Sequence, residues 1–299
     1  MKRILSYILI MMLVVSFAGC GRGSAGDQKI KLVDSRGVEV SLDAAPRSIV
    51  SLSPANTEIL YALGVGEQIV AVSEYCNYPE EALSKQQIPT GEKLNVETLV
   101  ALDPDVVFLS KMNAMEDQIT QLEQAGIKAI VTEANTLNET YEMIKLIGQA
   151  VGKAGEADKL VSSMQESFAS LKEKVRDRAP KSVYIEVSPL QYGLWSCGRE
   201  TFVQELLDII GAKNVFEDVT GWSAVSEEQV IERNPDIIVT TLSPLTGIED
   251  PVGEIMGRSN WSEITAVKEG RVYMLDADML SRPGPRLVDA ARQLLEITE

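Results

Sequence analysis

Aromatic side chains in the predicted loops are the residues of this chain best suited to chemistry with a ligand. Tyr75 and Tyr78 follow one predicted strand, and Tyr192, Trp195 and Trp222 lie in two loops farther along the chain. Aromatic rings offer wide, flat contact areas, and Tyr and Trp keep a polar edge available for hydrogen bonds. Taken singly, each ring has the alternative role of covering the hydrophobic core. As a set, the rings predict the binding of a large, flat ligand.

The absence of histidine limits the reactions open to this chain. It excludes His-rich metal sites and histidine-dependent catalytic triads. The sequence shows no phosphate-binding glycine loop after a predicted strand and no nucleophile elbow. Carboxylate pairs are too common in so acidic a chain to indicate acid–base catalysis. We therefore predict a binding protein rather than an enzyme, with no catalytic residue, no metal site and no cofactor. If a ligand carries its own metal ion, the side chains that remain as candidate axial ligands are Tyr75, Cys76, Cys197 and Met279.

One segment of the sequence occurs twice. NVETLVALDPDVVFL occupies 95–109, and SEEQVIERNPDIIVT occupies 226–240. In each copy a polar N-cap residue precedes a glutamate, Glu97 or Glu228, and a short amphipathic helix then leads through Pro-Asp into an apolar run. The repeat predicts two similar lobes with a cleft between them.

Strands and helices alternate in both halves of the chain, which is typical of α/β lobes with parallel sheets. Between the halves, apolar residues recur every three or four positions and predict one long helix packed on both lobes. The expected fold class is α/β, with two Rossmann-like lobes joined by this rigid helix and limited to small closure motions. The predicted segments are a signal peptide at 1–19, a lipidated flexible tether at 20–28, a first lobe at 29–152, the connecting helix at 153–180 and a second lobe at 181–299.

The N-terminus has the pattern of an export signal. Met1–Arg3 is basic, 4–17 is apolar, and two small residues precede Cys20. The F-A-G-C sequence is similar to a lipoprotein processing box. It predicts lipid on Cys20 and a location at the cell membrane, on its extracytoplasmic face. A plain secretory signal is the alternative.

Charge excludes one class of partner. The chain carries 28 Lys and Arg residues against 44 Asp and Glu residues, a net charge of −16. Nucleic-acid binding needs clustered cations that neutralise phosphates. We therefore predict no nucleic-acid partner.

Two cysteines fall near the mouth of the expected cleft. Cys76 follows a strand of the first lobe, and Cys197 lies in a loop of the second. Outside the cell they have two alternatives, a disulfide that would pin the lobes together or a pair of unlinked thiols.

Four segments of the sequence resemble those of one known family. They are SLSPANTEIL, VSEYCNYP, GWSAVSEEQVIERNPD and DMLSRPGPRLVDAARQLL. The chain resembles the substrate-binding proteins of ABC importers for cobalamin, siderophores and haem, and the cobalamin-binding members most of all. The resemblance implies the class III periplasmic-binding-protein fold and the capture of cobalamin or a related corrinoid for delivery to a permease. A ferric siderophore or haem is the alternative ligand.

The resemblance also implies roles for individual residues. Tyr75 would lie against the corrin, Trp195 and Trp222 would hold it from the second lobe, and 278–282 would meet its amide or nucleotide edge. The expected ligand-binding residues are Tyr75, Tyr192, Trp195, Trp222, Asp278, Met279, Leu280, Ser281 and Arg282. Two positions depart from the family pattern: Met279-Leu280 replaces an aromatic pair, and Ser110-Lys111 stands where a tryptophan is expected.

The same resemblance implies a binding partner for Glu97 and Glu228. Permeases of this class are similar to two-fold dimers, so two like lobes would offer the same carboxylate to an arginine pocket on each half. The alternative needs no partner, because an acid in the first turn of a helix is stabilised there by about 0.3–1 kcal/mol. The expected partners are the ABC importer permease dimer, a corrinoid and the membrane, with the protein itself a monomer.

Overall fold

The computed structural model describes residues 29–90, 94–113, 116–242 and 247–299. The predicted signal peptide and the whole predicted tether, including Cys20, lie outside the described residues. The limits of the predicted segments stay predictions.

The first lobe is a parallel sheet covered by helices. Its strands are β1 (Ile30–Val33), β2 (Glu39–Leu42), β3 (Ile49–Ser51), β4 (Ile69–Ser73), β5 (Gln86–Ile88), β6 (Val106–Ser110) and β7 (Lys128–Thr132). Its helices are α1 (Pro54–Ala62), α2 (Val96–Leu102), α3 (Glu116–Gln124) and α4 (Leu137–Ala150). The strands of the sheet are all parallel and lie in the order β5-β4-β3-β6-β7, while β1 and β2 form a separate antiparallel pair.

The second lobe repeats this arrangement with fewer strands. Its strands are β8 (Ser182–Glu186), β9 (Trp195–Cys197), β10 (Lys213–Asn214), β11 (Trp222–Ala224), β12 (Ile237–Thr240) and β13 (Val272–Met274). Its helices are α6 (Phe202–Ile209), α7 (Glu227–Arg233), α8 (Pro251–Met256), α9 (Thr265–Lys268), α10 (Ala277–Ser281) and α11 (Leu287–Thr298). The parallel order is β10-β8-β12-β13, and β9 pairs antiparallel with β11.

Burial explains why the sheet strands are continuous apolar runs. In β12 all four residues are buried, and in β6 only the last residue is partly exposed. Helices on both faces of a parallel sheet exclude water from both faces, so the strands carry no polar alternation. The helices begin at recognisable caps, such as the capping box that Thr136 and Glu139 form at the start of α4.

The repeated sequence segment has the same structural role in both lobes. Asp105 accepts hydrogen bonds from the backbone N–H groups of Arg47 and Ser48, at the entry to β3. Asp236 accepts from the backbone N–H and the hydroxyl of Ser182, at the entry to β8. The two Pro-Asp pairs therefore fix each lobe's first sheet strand beside the strand that follows the aspartate.

One helix, α5 (Ala154–Lys174), connects the lobes over most of the predicted 153–180 segment. It packs on α4 of the first lobe and on α6 and α11 of the second. Its buried side chains are Ala157, Val161, Met164, Phe168 and Leu171. They belong to one hydrophobic cluster that continues into both lobes, so the connection is a packed interface rather than a tether.

The short strands are where the sequence-based interpretation was wrong. We placed Trp195 and Trp222 in loops, whereas they lie on β9 and β11. Each of these strands has three residues, too few to show an alternating pattern. The connecting helix begins at Ala154, one residue after the predicted start of its segment, but ends at Lys174 rather than at 180.

Candidate functional site

A cavity of about 710 Å³ lies between the lobes. Ser53, Ser110 and Thr132 line it at the carboxyl ends of the first sheet, and Val187 and Thr241 line it at the carboxyl ends of the second. In each sheet the strand order reverses between two adjacent strands. These are β3 and β6 in the first sheet and β8 and β12 in the second. Ligands of parallel sheets bind outside such switch points. The cavity is therefore where the fold itself provides a binding site.

Several of the predicted ligand-binding residues line this cavity. They are Trp222, Asp278, Leu280, Ser281 and Arg282. The helix α10 and its C-cap residue, Arg282, contribute the last four. The N-cap Asp276 accepts from the backbone N–H groups of Asp278 and Met279 and so starts this short helix after β13. Ser110 and Lys111, which stand where the family pattern expects a tryptophan, also line the cavity.

The other predicted residues do not line the described part of the cavity. Tyr75, Tyr192 and Trp195 are half-exposed or exposed, and Met279 is partly buried against the core. Tyr75 still lies beside the cavity, since its carbonyl oxygen accepts a hydrogen bond of 3.2 Å from Nη2 of the cavity-lining Arg282.

Trp195 shares a face with Trp222. In the β9-β11 pair, Trp222 lies opposite Cys197 and Ala224 lies opposite Trp195. Residues two apart on a strand point to the same face, so both indoles project from one side of this ribbon. Trp222 meets Phe202 edge to face at 6.2 Å, whereas Trp195 is 43% exposed. The second lobe thus presents one indole inside the cavity and one at its rim.

Every charged side chain that lines the described cavity is already paired. Lys111 Nζ lies 2.7 Å from Glu133, and Arg282 lies 3.0 Å from Glu58 and 2.7 Å from Asp278. The remaining walls are mainly apolar or neutral and include Met143, Ile185, Val187 and Phe202. This surface suits a bulky ligand with apolar faces and uncharged polar groups.

Polar contacts join the lobes on two sides of the cavity. On one side Glu58 of α1 binds Arg282 and Arg286, and Asn77 donates to Asp278 at 2.7 Å. On the other side, Asn135 and Leu137 bond with α6: the N–H of Phe202 donates to the Asn135 carbonyl, and the N–H of Leu137 donates to the Glu205 carboxylate. These contacts fix the width of the cleft.

One residue of the first contact, Glu58, escaped the sequence analysis. It lies inside the quoted SLSPANTEIL segment but was given no role. One signal was present, because an acid directly before Ile59 and Leu60 on an apolar helix needs a partner when it is buried.

We expect Glu205→Gln to change how stability depends on pH. Burial raises the pKa of Glu205, and the hydrogen bond from the Leu137 N–H only partly opposes this. Stability from the protonated acid is complete below the unfolded pKa and is lost as pH rises through the higher folded value. The variant should therefore gain stability relative to wild type as pH rises above the unfolded pKa of about 4.3, as measured by urea unfolding. A difference that stays constant with pH would contradict this assignment.

The predicted position of the cysteines is wrong. Cys76 and Cys197 are both fully buried rather than at the cleft mouth, and they are separate thiols. Cys76 Sγ lies 3.2 Å from Thr57 Oγ1, and burial raises the pKa of Cys197 to about 12. Of the two alternatives the structure has the unlinked thiols, and neither thiol lines the described cavity as an axial ligand would.

Glu97 and Glu228 occupy equivalent exposed positions. Each lies in the first turn of its helix, α2 or α7. The N-cap residues of these helices are Asn95 and Ser226, and each N-cap side chain accepts a hydrogen bond from a backbone N–H. Hydrogen bonds from its own backbone N–H and from Ser226 lower the pKa of Glu228. Both glutamates are exposed, and neither forms a salt bridge within the described residues.

No helix in the described ranges combines the length and the apolar character needed to cross a membrane.

Comparison with known proteins identifies the family. The model of the periplasmic binding protein family matches residues 49–279, which include both parallel sheets and most of the residues that line the cavity. The chain belongs to this family of binding proteins. Its fold is the class III periplasmic-binding-protein fold, which confirms the predicted fold class. The family consists of binding proteins rather than enzymes.

Three relatives illustrate the range of this family. An uncharacterized ABC transporter substrate-binding lipoprotein of Bacillus subtilis, YvrC, is 38% identical, over 99% of this chain and 96% of the relative. A vitamin B12-binding protein of Salmonella typhimurium is 32% identical, over 85% of this chain and 91% of the relative. The structure of a possible iron-binding (periplasmic solute-binding) protein of Staphylococcus epidermidis is 33% identical with a TM-score of 0.75, covering 85% of this chain and 98% of that one.

Proposed function

We propose that this protein is the extracytoplasmic substrate-binding component of an ABC importer and that its ligand is cobalamin or a related corrinoid. The vitamin B12-binding relative at 32% identity supports the ligand class, and the substrate-binding lipoprotein at 38% identity supports the transport role. The observation that carries the proposal is the cavity lining, which combines indole with apolar groups and has no unpaired charge among the described residues.

A corrinoid matches this lining chemically. Its macrocycle is broad and apolar on its faces, and its edge carries neutral amides. Trp222 and Phe202 offer apolar contact to such a ring, while Ser53, Ser110 and Thr241 offer uncharged hydrogen-bonding groups at the strand ends. Tyr75 and Trp195 lie at the rim, where they would contact parts of the ligand that project from the cleft.

A ferric siderophore or haem is the second candidate, because the structure from Staphylococcus epidermidis is described as possibly iron-binding. Carboxylate-bearing ligands need cations to receive them. The two cavity-lining cations, Lys111 and Arg282, are both held by acids of the protein. Haem also needs an axial ligand; the chain contains no histidine, and Tyr75, Met279 and the two cysteines do not line the described cavity. These two features favour the corrinoid.

The remaining predicted partners form part of the same proposal. Lipid on Cys20 would anchor the protein at the outer face of the cell membrane, and residues 20–28 would act as its tether. Glu97 and Glu228 would dock on arginines of the permease dimer. Their equivalent exposed positions in two similar lobes support this role.

Tryptophan fluorescence tests the ligand. The purified protein is titrated in parallel with cyanocobalamin, dicyanocobinamide, haemin and ferric siderophores. We expect saturable quenching by the two corrinoids, because Trp222 and Trp195 lie at the proposed site. Tight binding of haemin or a siderophore, with none of a corrinoid, would replace the proposal by the second candidate.

Trp222→Ala should weaken corrinoid binding strongly. The indole is packed on Phe202 and lines the cavity, so its removal costs the contact and leaves a void, by about 2 kcal/mol or roughly thirtyfold in Kd. Isothermal titration calorimetry measures the change. Trp261→Phe is the matched control: Trp261 is fully buried in the core of the second lobe, so this variant should keep the wild-type Kd. Equal affinities for wild type and Trp222→Ala would place the ligand elsewhere.

A further inference from the structure

Glu58 is a buried carboxylate with two arginine partners from the opposite lobe. Its Oε1 accepts 3.0 Å from Nη1 of Arg282 and 2.6 Å from Nη2 of Arg286, and its Oε2 accepts 2.9 Å from Nε of Arg286. The Glu58 side chain is 2% exposed, and both arginine side chains are 11% exposed. The guanidinium of Arg286 also stacks 4.3 Å from the ring centre of Tyr78.

The partners of Arg282 determine what this residue can offer to a ligand. Its Nη1 donates to Glu58 and to Asn77 Oδ1, and its Nη2 donates to the Tyr75 carbonyl and lies 2.7 Å from Asp278. A guanidinium carries two hydrogens on each Nη atom, so three of the four are engaged in hydrogen bonds, and the Asp278 carboxylate lies against Nη2 as well. Arg282 lines the cavity, but it has no free pair of Nη–H groups with which to bind a carboxylate.

Glu58 itself does not line the cavity. It acts behind Arg282, where its charge offsets that of the two guanidinium groups. Including the rim acids Asp276 and Asp278, the cluster contains three carboxylates and two guanidinium groups. An anionic ligand would therefore approach a cluster with a formal excess of negative charge, although an arginine forms part of the wall.

We propose that Glu58 is a positioning residue that sets the charge preference of the cleft: it holds Arg282 and Arg286 so that the site accepts amide-fringed ligands and rejects their carboxylate counterparts. The choice of corrinoid probes rests on the proposed function, whereas the charge preference itself does not. The same geometry would disfavour carboxylates on any ligand held against Arg282.

The test compares cyanocobalamin with its monocarboxylic acid, in which one peripheral amide is hydrolysed. Kd is measured for both ligands with wild type and with Glu58→Gln, which keeps the shape of the side chain and removes its charge. In the variant, the ratio of the acid's Kd to the amide's Kd should fall about tenfold, because one negative charge near the site has been removed. A ratio equal to that of wild type would overturn the proposal.

Two further variants separate this role from a structural one. Glu186→Gln is the matched control, since Glu186 is also a buried carboxylate held by an arginine, Arg258. Its neighbours Ile185 and Val187 line the cavity, and because side chains alternate along a strand, Glu186 points to the opposite face. Its ratio should stay within about twofold of wild type. Arg286→Gln should move the ratio in the opposite direction, and it decides the matter if Glu58→Gln does not fold. An unchanged ratio in Arg286→Gln would then overturn the proposal.

The outcome for wild type is read separately. If wild type binds neither corrinoid, the proposed function fails, and the charge preference is tested with haemin against its dimethyl ester. The same fall in the ratio of Kd values, free acid over ester, is expected for Glu58→Gln. If wild type binds the corrinoids and the ratio does not respond to Glu58→Gln, only the role of Glu58 is overturned.

Discussion

Reversing the charge of both Glu97 and Glu228 should abolish ligand uptake while leaving ligand binding unchanged. The two carboxylates are exposed and lie outside the described cavity, so lysine at these positions should not alter the Kd of the ligand. In the proposed function, however, uptake needs both lobes to dock on the permease, and two lysines would face the arginines expected there. Like charges brought together across an interface cost several kcal/mol, which is enough to prevent docking.

The measurement is uptake of labelled cobalamin by cells that depend on this protein, beside calorimetry of the purified variant. The helix starts lose favourable dipole interactions in Glu97→Lys/Glu228→Lys, by about 0.3–1 kcal/mol per site, so a matched control is needed. Glu116→Lys/Glu156→Lys makes the same change in charge at exposed first-turn positions of α3 and α5. This control should transport normally. Normal uptake in the Glu97/Glu228 variant would remove the docking role.

Arg258→Met should destabilise the protein by about 3–5 kcal/mol, the usual cost of leaving a buried charge unpaired. Arg258 lies 2.8 and 2.9 Å from the two oxygens of Glu186, and the two side chains are 4% and 0% exposed. The guanidinium also lies 4.3 Å from the ring centre of Trp261. Methionine would fill much of the volume but leave the Glu186 carboxylate without its counterion.

Urea unfolding measures this loss, provided that the m-value, the slope of the unfolding free energy against urea concentration, is the same for the variant and wild type. Burial already raises the pKa of Glu186, although Arg258 opposes this, so removing the arginine should favour the protonated acid further. The variant should therefore be least destabilised at low pH and lose stability as pH rises through the folded pKa. Glu186→Leu/Arg258→Met should recover most of the stability, because replacing both partners leaves no buried charge. A loss below about 1 kcal/mol in Arg258→Met would contradict the burial of this pair.

Long periodic elements could be predicted from the sequence because their pattern records which face is buried. The stripe from Ala157 to Leu171 predicted α5, and the apolar runs that follow Pro104 and Pro235 predicted β6 and β12. The repeat predicted two similar lobes because Asp105 and Asp236 each accept a backbone hydrogen bond at the entry to the first sheet strand of their lobe.

The parts that the sequence did not reveal depend on contacts between distant residues. Cys76 and Cys197 were placed at the mouth because both fall in predicted loops beside the cleft, yet both side chains are buried in the core. Nothing local to Glu58 shows that Arg282 and Arg286, more than two hundred residues later, lie against it. Tertiary pairing of this kind is set by how the lobes pack, and a linear pattern does not contain it.

The most direct test of the central claim is a crystal structure of the protein with cyanocobalamin. We predict that the corrin lies between the lobes, that it contacts Trp222, and that neutral amides rather than a carboxylate face Arg282. A corrinoid bound away from this cavity, or a cavity that stays filled by protein side chains in the complex, would contradict the account.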